Sequence, residues 1–176
     1  MTDSRFPTAA VARTRIKFCG FTRAEDVALA VALGVDAVGL ICVPDSKRFL
    51  TPTAAAALRR RLPPVVSAVL LLSNADMAWA DTALEAVEPD LVQFHGSESA
   101  SYCTGFARRY LKSVSVSHAE DVRAAARAHP HAAGLLLDSH APGGMGGTGQ
   151  VFDWTQIPRN VELPLTLAGG LNPGNV

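Results

Sequence analysis

Gly134 to Trp154 reads GLLLDSHAPGGMGGTGQVFDW: an apolar run, Leu135 to Leu137, stops at Asp138, and a loop with five glycines follows before Phe152 and Trp154. A short apolar run bounded by turn residues is the pattern of a buried strand. Asp138 then sits at the carboxyl end of that strand and faces a loop whose bare backbone N–H groups, those of Gly146 and Gly147 among them, suit a phosphate. An aspartate after a strand is also a common turn residue or helix cap, and glycine loops are often plain connectors. Position favours the functional reading, because parallel α/β folds gather their ligands at the carboxyl ends of the strands.

Outward from that stretch, short β-rich runs alternate with runs rich in Ala, Leu and Arg. The pattern predicts strands over Ile16–Gly20, Ala37–Val43, Val65–Leu72, Leu91–His95, Lys112–Val116, a sixth ending at Asp138, and Pro164–Ala168. Between them it predicts helices over Arg23–Leu33 with Thr22 as cap, from Thr51 and Pro52 onward, over Ala75–Val87, from Gly96 to about Tyr110, and over His118–His129. A short turn is expected near Asp153, and Asn172 with Pro173 reads as a helix start. This is the βαβ rhythm of a parallel sheet with helices outside. No GxGxxG motif follows the first strand, and the unit length favours the α/β class of (β/α)8 TIM-barrel type over a doubly wound sheet. Such a barrel usually needs about 200 residues or more, so a barrel truncated to about seven strands is expected. Residues 15–176 would form this single domain, behind a flexible tail at 1–14.

The 176 residues are 48% hydrophobic, enough for one domain with a sizeable core. Sixteen Lys plus Arg balance sixteen Asp plus Glu, so no global field favours nucleic acid or an anionic membrane. No stretch approaches the roughly 20 apolar residues of a membrane span, and the first residues do not read as a signal peptide. Three scattered cysteines, Cys19, Cys42 and Cys103, suit reduced thiols in a cytoplasm better than a disulfide framework. His118, His129, His131 and His140 lack metal-ligand spacing, so no metal is expected.

Strand alternation sends Lys17 and Cys19 to the barrel interior and Ile16 and Phe18 toward the helices. The same count puts Gln93 with His95, and Leu136 with Asp138. Cys19, His95 and Asp138 thus fall at strand ends on one rim. Lys17 lies below that rim, which suits a floor ion pair better than a Schiff-base nucleophile. Cys42 and Cys103 read as packing residues, since a buried Cys without a base is an inert small hydrophobe.

Five segments, RIKFCGFT (15–22), DAVGLICVPDSKRFL (36–50), LVQFHGSE (91–98), LLLDSHAPGGMGGTGQVFDW (135–154) and LAGGLNPGNV (167–176), together resemble phosphoribosylanthranilate isomerase of tryptophan biosynthesis. The resemblance implies an Amadori rearrangement of N-(5-phosphoribosyl)anthranilate by general acid-base catalysis, without a cofactor. It places the general base on Cys19 and the general acid on Asp138. It assigns Arg48 to the anthranilate carboxylate, Gln93 and His95 to the pocket wall, and Gly169 and Gly170 to the phosphate. The implied partner is a small phosphorylated substrate, with no nucleic acid or membrane, and the protein is expected as a monomer or homodimer.

Phe18, Leu40 and Phe94 stand where the family more often has Ile, Phe and Leu, on packing positions. The family continues past LNPxNV into an eighth strand and a closing helix that these residues do not contain. Two alternatives therefore stand beside the isomerase reading: a catalytically inactive barrel fragment, and another phosphosugar isomerase or an aldolase using Lys17 or Lys112 as an amine nucleophile. For the acid-base pair, Asp138 needs a desolvating wall and Cys19 a stabilised thiolate.

Overall fold

A computed structural model describes residues 13–139 and 152–176. Gly146, Gly147, His140 and the first twelve residues of the expected tail lie outside the described residues. Seven strands form one all-parallel sheet: β1 (Lys17–Cys19), β2 (Ala37–Ile41), β3 (Ser67–Leu72), β4 (Leu91–Phe94), β5 (Tyr110–Ser115), β6 (Gly134–Asp138) and β7 (Leu165–Leu167). Their spatial order is their sequence order. A doubly wound sheet reverses its order at a switch point, so this unbroken succession is the winding of the barrel type.

Between the strands run α1 (Ala24–Ala32), α2 (Pro52–Arg59), α3 (Met77–Val87), α4 (Ala100–Gly105) and α5 (Ala119–Ala128). α2 starts as its sequence predicts, with Pro52 in the first turn and the Thr51 hydroxyl accepting from the Ala54 N–H at 3.2 Å. α3 is capped by Asp76 and α4 by Ser99, each side chain accepting from the N–H three residues on. The residue that precedes α1 is Arg23, without a side-chain cap, and not the expected Thr22. After the glycine loop, Asp153 caps a short 3-10 turn over Trp154–Gln156, and the chain end forms a turn held by Asn172.

The largest departure from the expected elements is α4, which ends at Gly105 instead of running to Tyr110. Ala107 has a φ of 51°, which breaks the helix, and Tyr110 is drawn into β5 opposite Val92. There its ring is fully buried against Phe94 and His129. Burying a large aromatic outweighs the weak propensity that would extend the helix.

The register divides the sheet into two chemically different faces. Val38, Leu40, Leu70, Leu72, Val92 and Phe94 share the outer face and pack under the helices. A smaller cluster, Val114, Val122, Leu135 and Leu137, covers β5 and β6 beneath α5. The inner face alternates with these and carries Cys19, Gly39, Gln93, Ser113, Ser115 and Asp138 alongside the apolar Val69, Leu71, Leu111 and Leu136. Apolar residues that cover one face leave the other available for polar chemistry.

On β1 the parity is as expected, with Cys19 beside inward Gly39, but coverage is not. Ile16 and Phe18 are each 45% exposed, and among the described residues β1 pairs with β2 alone. Phe18 packs against Phe21 at a centroid distance of 6.5 Å. The floor ion pair expected of Lys17 does not form among the described residues; its side chain sits half-buried on this strand, without a carboxylate opposite it.

Candidate active site

The carboxyl ends of β1, β4, β6 and β7 carry the residues of interest. Cys19 closes β1, and its thiol lies over β2 at Gly39: a Cβ built there would stand 2.4 Å from Cys19 Sγ. Only a glycine leaves that space, and a lone glycine inside a strand signals such a close approach. Gly20, with a φ of 91°, turns the chain away and lets Arg48 cross the end of the strand. The Arg48 guanidinium donates to the Cys19 carbonyl at 3.1 Å. Cys19 and Arg48, distant in sequence, therefore form one unit.

A second unit is built on β4 and β6. Asp138, the last residue of β6, is buried at the strand end, with its Oδ2 4.0 Å from His95 Nε2. His95 follows β4 directly, and its amide donates to the Leu72 carbonyl at 2.8 Å, which extends the β-pairing and fixes the ring's origin. On its other side His95 Nδ1 lies 2.9 Å from Ser113 Oγ and 3.2 Å from Gln93 Nε2. Gln93, only 2% exposed, also donates to Ser113 Oγ at 3.2 Å. A cavity of about 360 Å³ opens beside His95, Ser113, Ser115 and Asp138 and extends over β5 toward α5. Gly169 and Gly170, with φ of 77° and 67°, bend the chain after β7. A Cβ at Gly169 would come within 2.7 Å of Asp138 Oδ1, so a bare glycine is what allows this backbone to lie against the carboxyl group.

The structure thus brings His95 and Asp138 together on one cavity, with Gln93 buried behind His95, joins Gly169 to Asp138, and pairs Arg48 with Cys19. Cys19 and Arg48 do not line that cavity. The other two cysteines sit in the packed layer, as expected. Burial pushes the Cys42 thiol up to about 11, and burial with the nearby Glu98 charge pushes Cys103 up to about 12, so both stay neutral thiols. Cys42 follows β2 instead of lying within it. Among the described residues no group of three His, Cys, Asp or Glu is placed to hold a metal. No described helix is long and apolar enough to cross a membrane.

Three contributions escaped sequence reading. Gly39 was legible only as an interruption in an apolar strand. Ser113 carries no motif, and only the strand register reveals that it faces Gln93. The third is the ion pair of Lys112 with Glu98, 3.3 Å apart with both side chains more than nine-tenths buried. Lys112 stands opposite Phe94, on the outer face of the sheet and away from Gln93. Its ammonium donates to the carbonyls of Phe94, Gly96 and Ser113, while Glu98 Oε1 accepts from the Asn74 and Gly96 amides. This knot fixes the turn that follows His95.

Residues 16–176 match the family described as N-(5'-phosphoribosyl)anthranilate (PRA) isomerase. The isomerase of that name from Stenotrophomonas maltophilia (strain R551-3) is 49% identical over 166 residues, covering 93% of this chain and 76% of the relative. The crystal structure of phosphoribosyl anthranilate isomerase from Thermotoga maritima superposes with a TM-score of 0.82 at 34% identity, over 93% of this chain and 80% of that one. A phosphoribosyl anthranilate isomerase in complex with reduced 1-(o-carboxyphenylamino)-1-deoxyribulose 5-phosphate gives 0.79 at 33% identity, over 93% and 79%. With the family match spanning residues 16–176 and the fold superposing on solved structures of that name, the chain belongs to the N-(5'-phosphoribosyl)anthranilate isomerase family.

Proposed function

We propose that this chain catalyses the Amadori rearrangement of N-(5-phosphoribosyl)anthranilate to 1-(2-carboxyphenylamino)-1-deoxyribulose 5-phosphate, a step of L-tryptophan biosynthesis, in the cytoplasm and as a monomer or homodimer. The observation that carries this reading is Asp138 at the end of β6, buried, beside His95 and against the bare backbone of Gly169, in a chain of this family.

Asp138 is the general acid. It delivers its proton to the furanose ring oxygen as the bond from that oxygen to C1 breaks, and the anilinic nitrogen supplies the electron pair that forms an iminium at C1. Cys19, as thiolate, then removes the C2 proton, and the electrons move into a C1–C2 enolamine. Tautomerisation of the C2 hydroxyl to a ketone, with a proton added at C1, completes the isomerisation. Reactant and product have the same atoms and oxidation level, and the substrate's own nitrogen is the electron sink, so one acid and one base suffice. Arg48, anchored on the Cys19 carbonyl, binds the anthranilate carboxylate in a planar two-pronged contact. Gly169 and Gly170, with Gly146 and Gly147, bind the phosphate through backbone N–H groups. Gln93 and His95 form the wall of the pocket.

The competing amine-nucleophile reading needs a lysine with a free amine in the pocket; Lys17 does not line the cavity, and Lys112, which does, has its ammonium engaged by Glu98 and the carbonyls of Phe94, Gly96 and Ser113. Incubation with phosphoribosylanthranilate followed by borohydride separates the two. The acid-base reading predicts a reduced deoxyribulose phosphate in solution and a protein of unchanged mass. A stable adduct on a lysine would contradict it.

A further inference from the structure

The hydrogen bonds around His95 favour one of its two tautomers. Gln93 is buried, and its amide N–H reaches Ser113 Oγ at 3.2 Å. Having accepted from Gln93, the Ser113 hydroxyl has its own hydrogen to give, and the acceptor 2.9 Å away is His95 Nδ1. Gln93 Nε2 also faces Nδ1, at 3.2 Å. Both the Ser113 hydroxyl and the Gln93 amide can donate to this ring nitrogen, an arrangement that favours a lone pair there. In the neutral imidazole the hydrogen then belongs to Nε2, the nitrogen 4.0 Å from Asp138 Oδ2.

The amide orientation supports the same order. Gln93 Oε1 has no hydrogen-bond partner among the described residues. Turning the amide would leave its NH2 there instead, and an unpaired buried N–H is rarer in proteins than an under-satisfied carbonyl.

We propose that Ser113 is a positioning residue for the isomerisation: backed by Gln93, it holds His95 with its Nε2–H directed at Asp138, so that the imidazole donates to one carboxylate oxygen as the other releases its proton. No atom is transferred by His95 in this role. It supplies a fixed donor where negative charge develops, and such a donor is already oriented when the reaction begins. Contacts of this kind tighten when substrate binds, and a span of 4.0 Å leaves room for that. The carboxyl is also held in one rotation about its Cβ–Cγ bond, with Oδ1 on the Gly169 side. Ser113 belongs to none of the motifs that mark the family resemblance, and nothing in its position on β5 requires a hydroxyl for packing. The inference rests on Asp138 as the acid.

The test combines a spectrum with kinetics on the full chain. Two-bond 1H–15N correlation reads the tautomer of each histidine, and the signals of His95 are identified by their loss in His95→Gln. The expected result is the Nε2–H form in the parent and a shift toward the other tautomer in Ser113→Ala. With phosphoribosylanthranilate, Ser113→Ala should lower kcat about tenfold, the worth of one hydrogen bond to a charged group, with KM within about twofold. Ser113→Thr, which keeps the hydroxyl, should restore most of the rate. An Nδ1–H form in the parent overturns the proposal, as does an unchanged kcat in Ser113→Ala while Asp138→Asn is inactive. Full activity in Asp138→Asn would remove the acid assignment itself, and the inference with it.

Discussion

The thiol of Cys19 depends on an absence, the missing side chain of Gly39. A Cβ there would stand 2.4 Å from Sγ and 3.0 Å from the Cys19 Cα. The second of these is backbone and cannot swing aside. Gly39→Ala should therefore push β1 and its cysteine outward. The expected cost is about 1–3 kcal/mol of stability, typical of overpacking, read as a lower urea midpoint, together with a slower isomerisation because the base is displaced. Unchanged stability and rate would show that β1 moves freely to accommodate a methyl group. The aspartate and cysteine at the strand ends were legible from the sequence, because strand parity and motif pointed to the same positions. Gly39 and Ser113 were not, because their importance lies in what stands beside them on the next strand, and register is a property of the folded sheet.

At the scale of elements, the turn between β4 and α4 determines how rigidly His95 is presented. Asn74, at a φ of 48°, accepts from the Ser97 amide, and Gly96 fits only because it has no Cβ to meet that side chain. Beneath it the Lys112–Glu98 pair ties the turn to β5. Breaking a buried pair by removing one partner leaves the other charge without its counterion. Lys112→Met should therefore cost about 3–5 kcal/mol in a urea titration, and Lys112→Met with Glu98→Leu distinctly less. A double variant as unstable as the single one would mean that the backbone contacts of the pair matter more than its charges. Strand positions were predicted to within a residue or two, since short apolar runs between turn residues are distinctive. The length of α4 was not. Ala, Arg and Tyr after Gly105 suit a helix locally, and only the slot that Tyr110 fills against Phe94 shows why the chain leaves it.

Across the whole molecule, the outer layer of the barrel-type sheet is mostly hydrocarbon, and besides the Lys112–Glu98 pair it holds a buried histidine, His129. His129 packs edge-on to Tyr110, and burial, aided by the Lys112 charge, holds its pKa below the usual value. The unfolded chain binds a proton near pH 6.5 that the folded chain refuses, so stability is fully present above that pH and declines as pH falls through it. Between pH 7.5 and 5.5, urea midpoints of the parent should fall more steeply than those of His129→Gln. Equal slopes would show that His129 takes up its proton as readily folded as unfolded. The parallel order of the sheet was legible from the βαβ rhythm alone, whereas the coverage of its edges was not, since periodicity says which face is apolar and not whether anything lies over it.

The most direct measurement is loss of phosphoribosylanthranilate fluorescence with the folded chain, its Cys19→Ala variant and its Asp138→Asn variant side by side. The parent is predicted to consume the substrate, and each variant to do so at least about 100-fold more slowly, as removal of a general base or acid requires. A folded parent that leaves the fluorescence untouched, or variants that match its rate, would contradict acid-base isomerisation by Asp138 and Cys19.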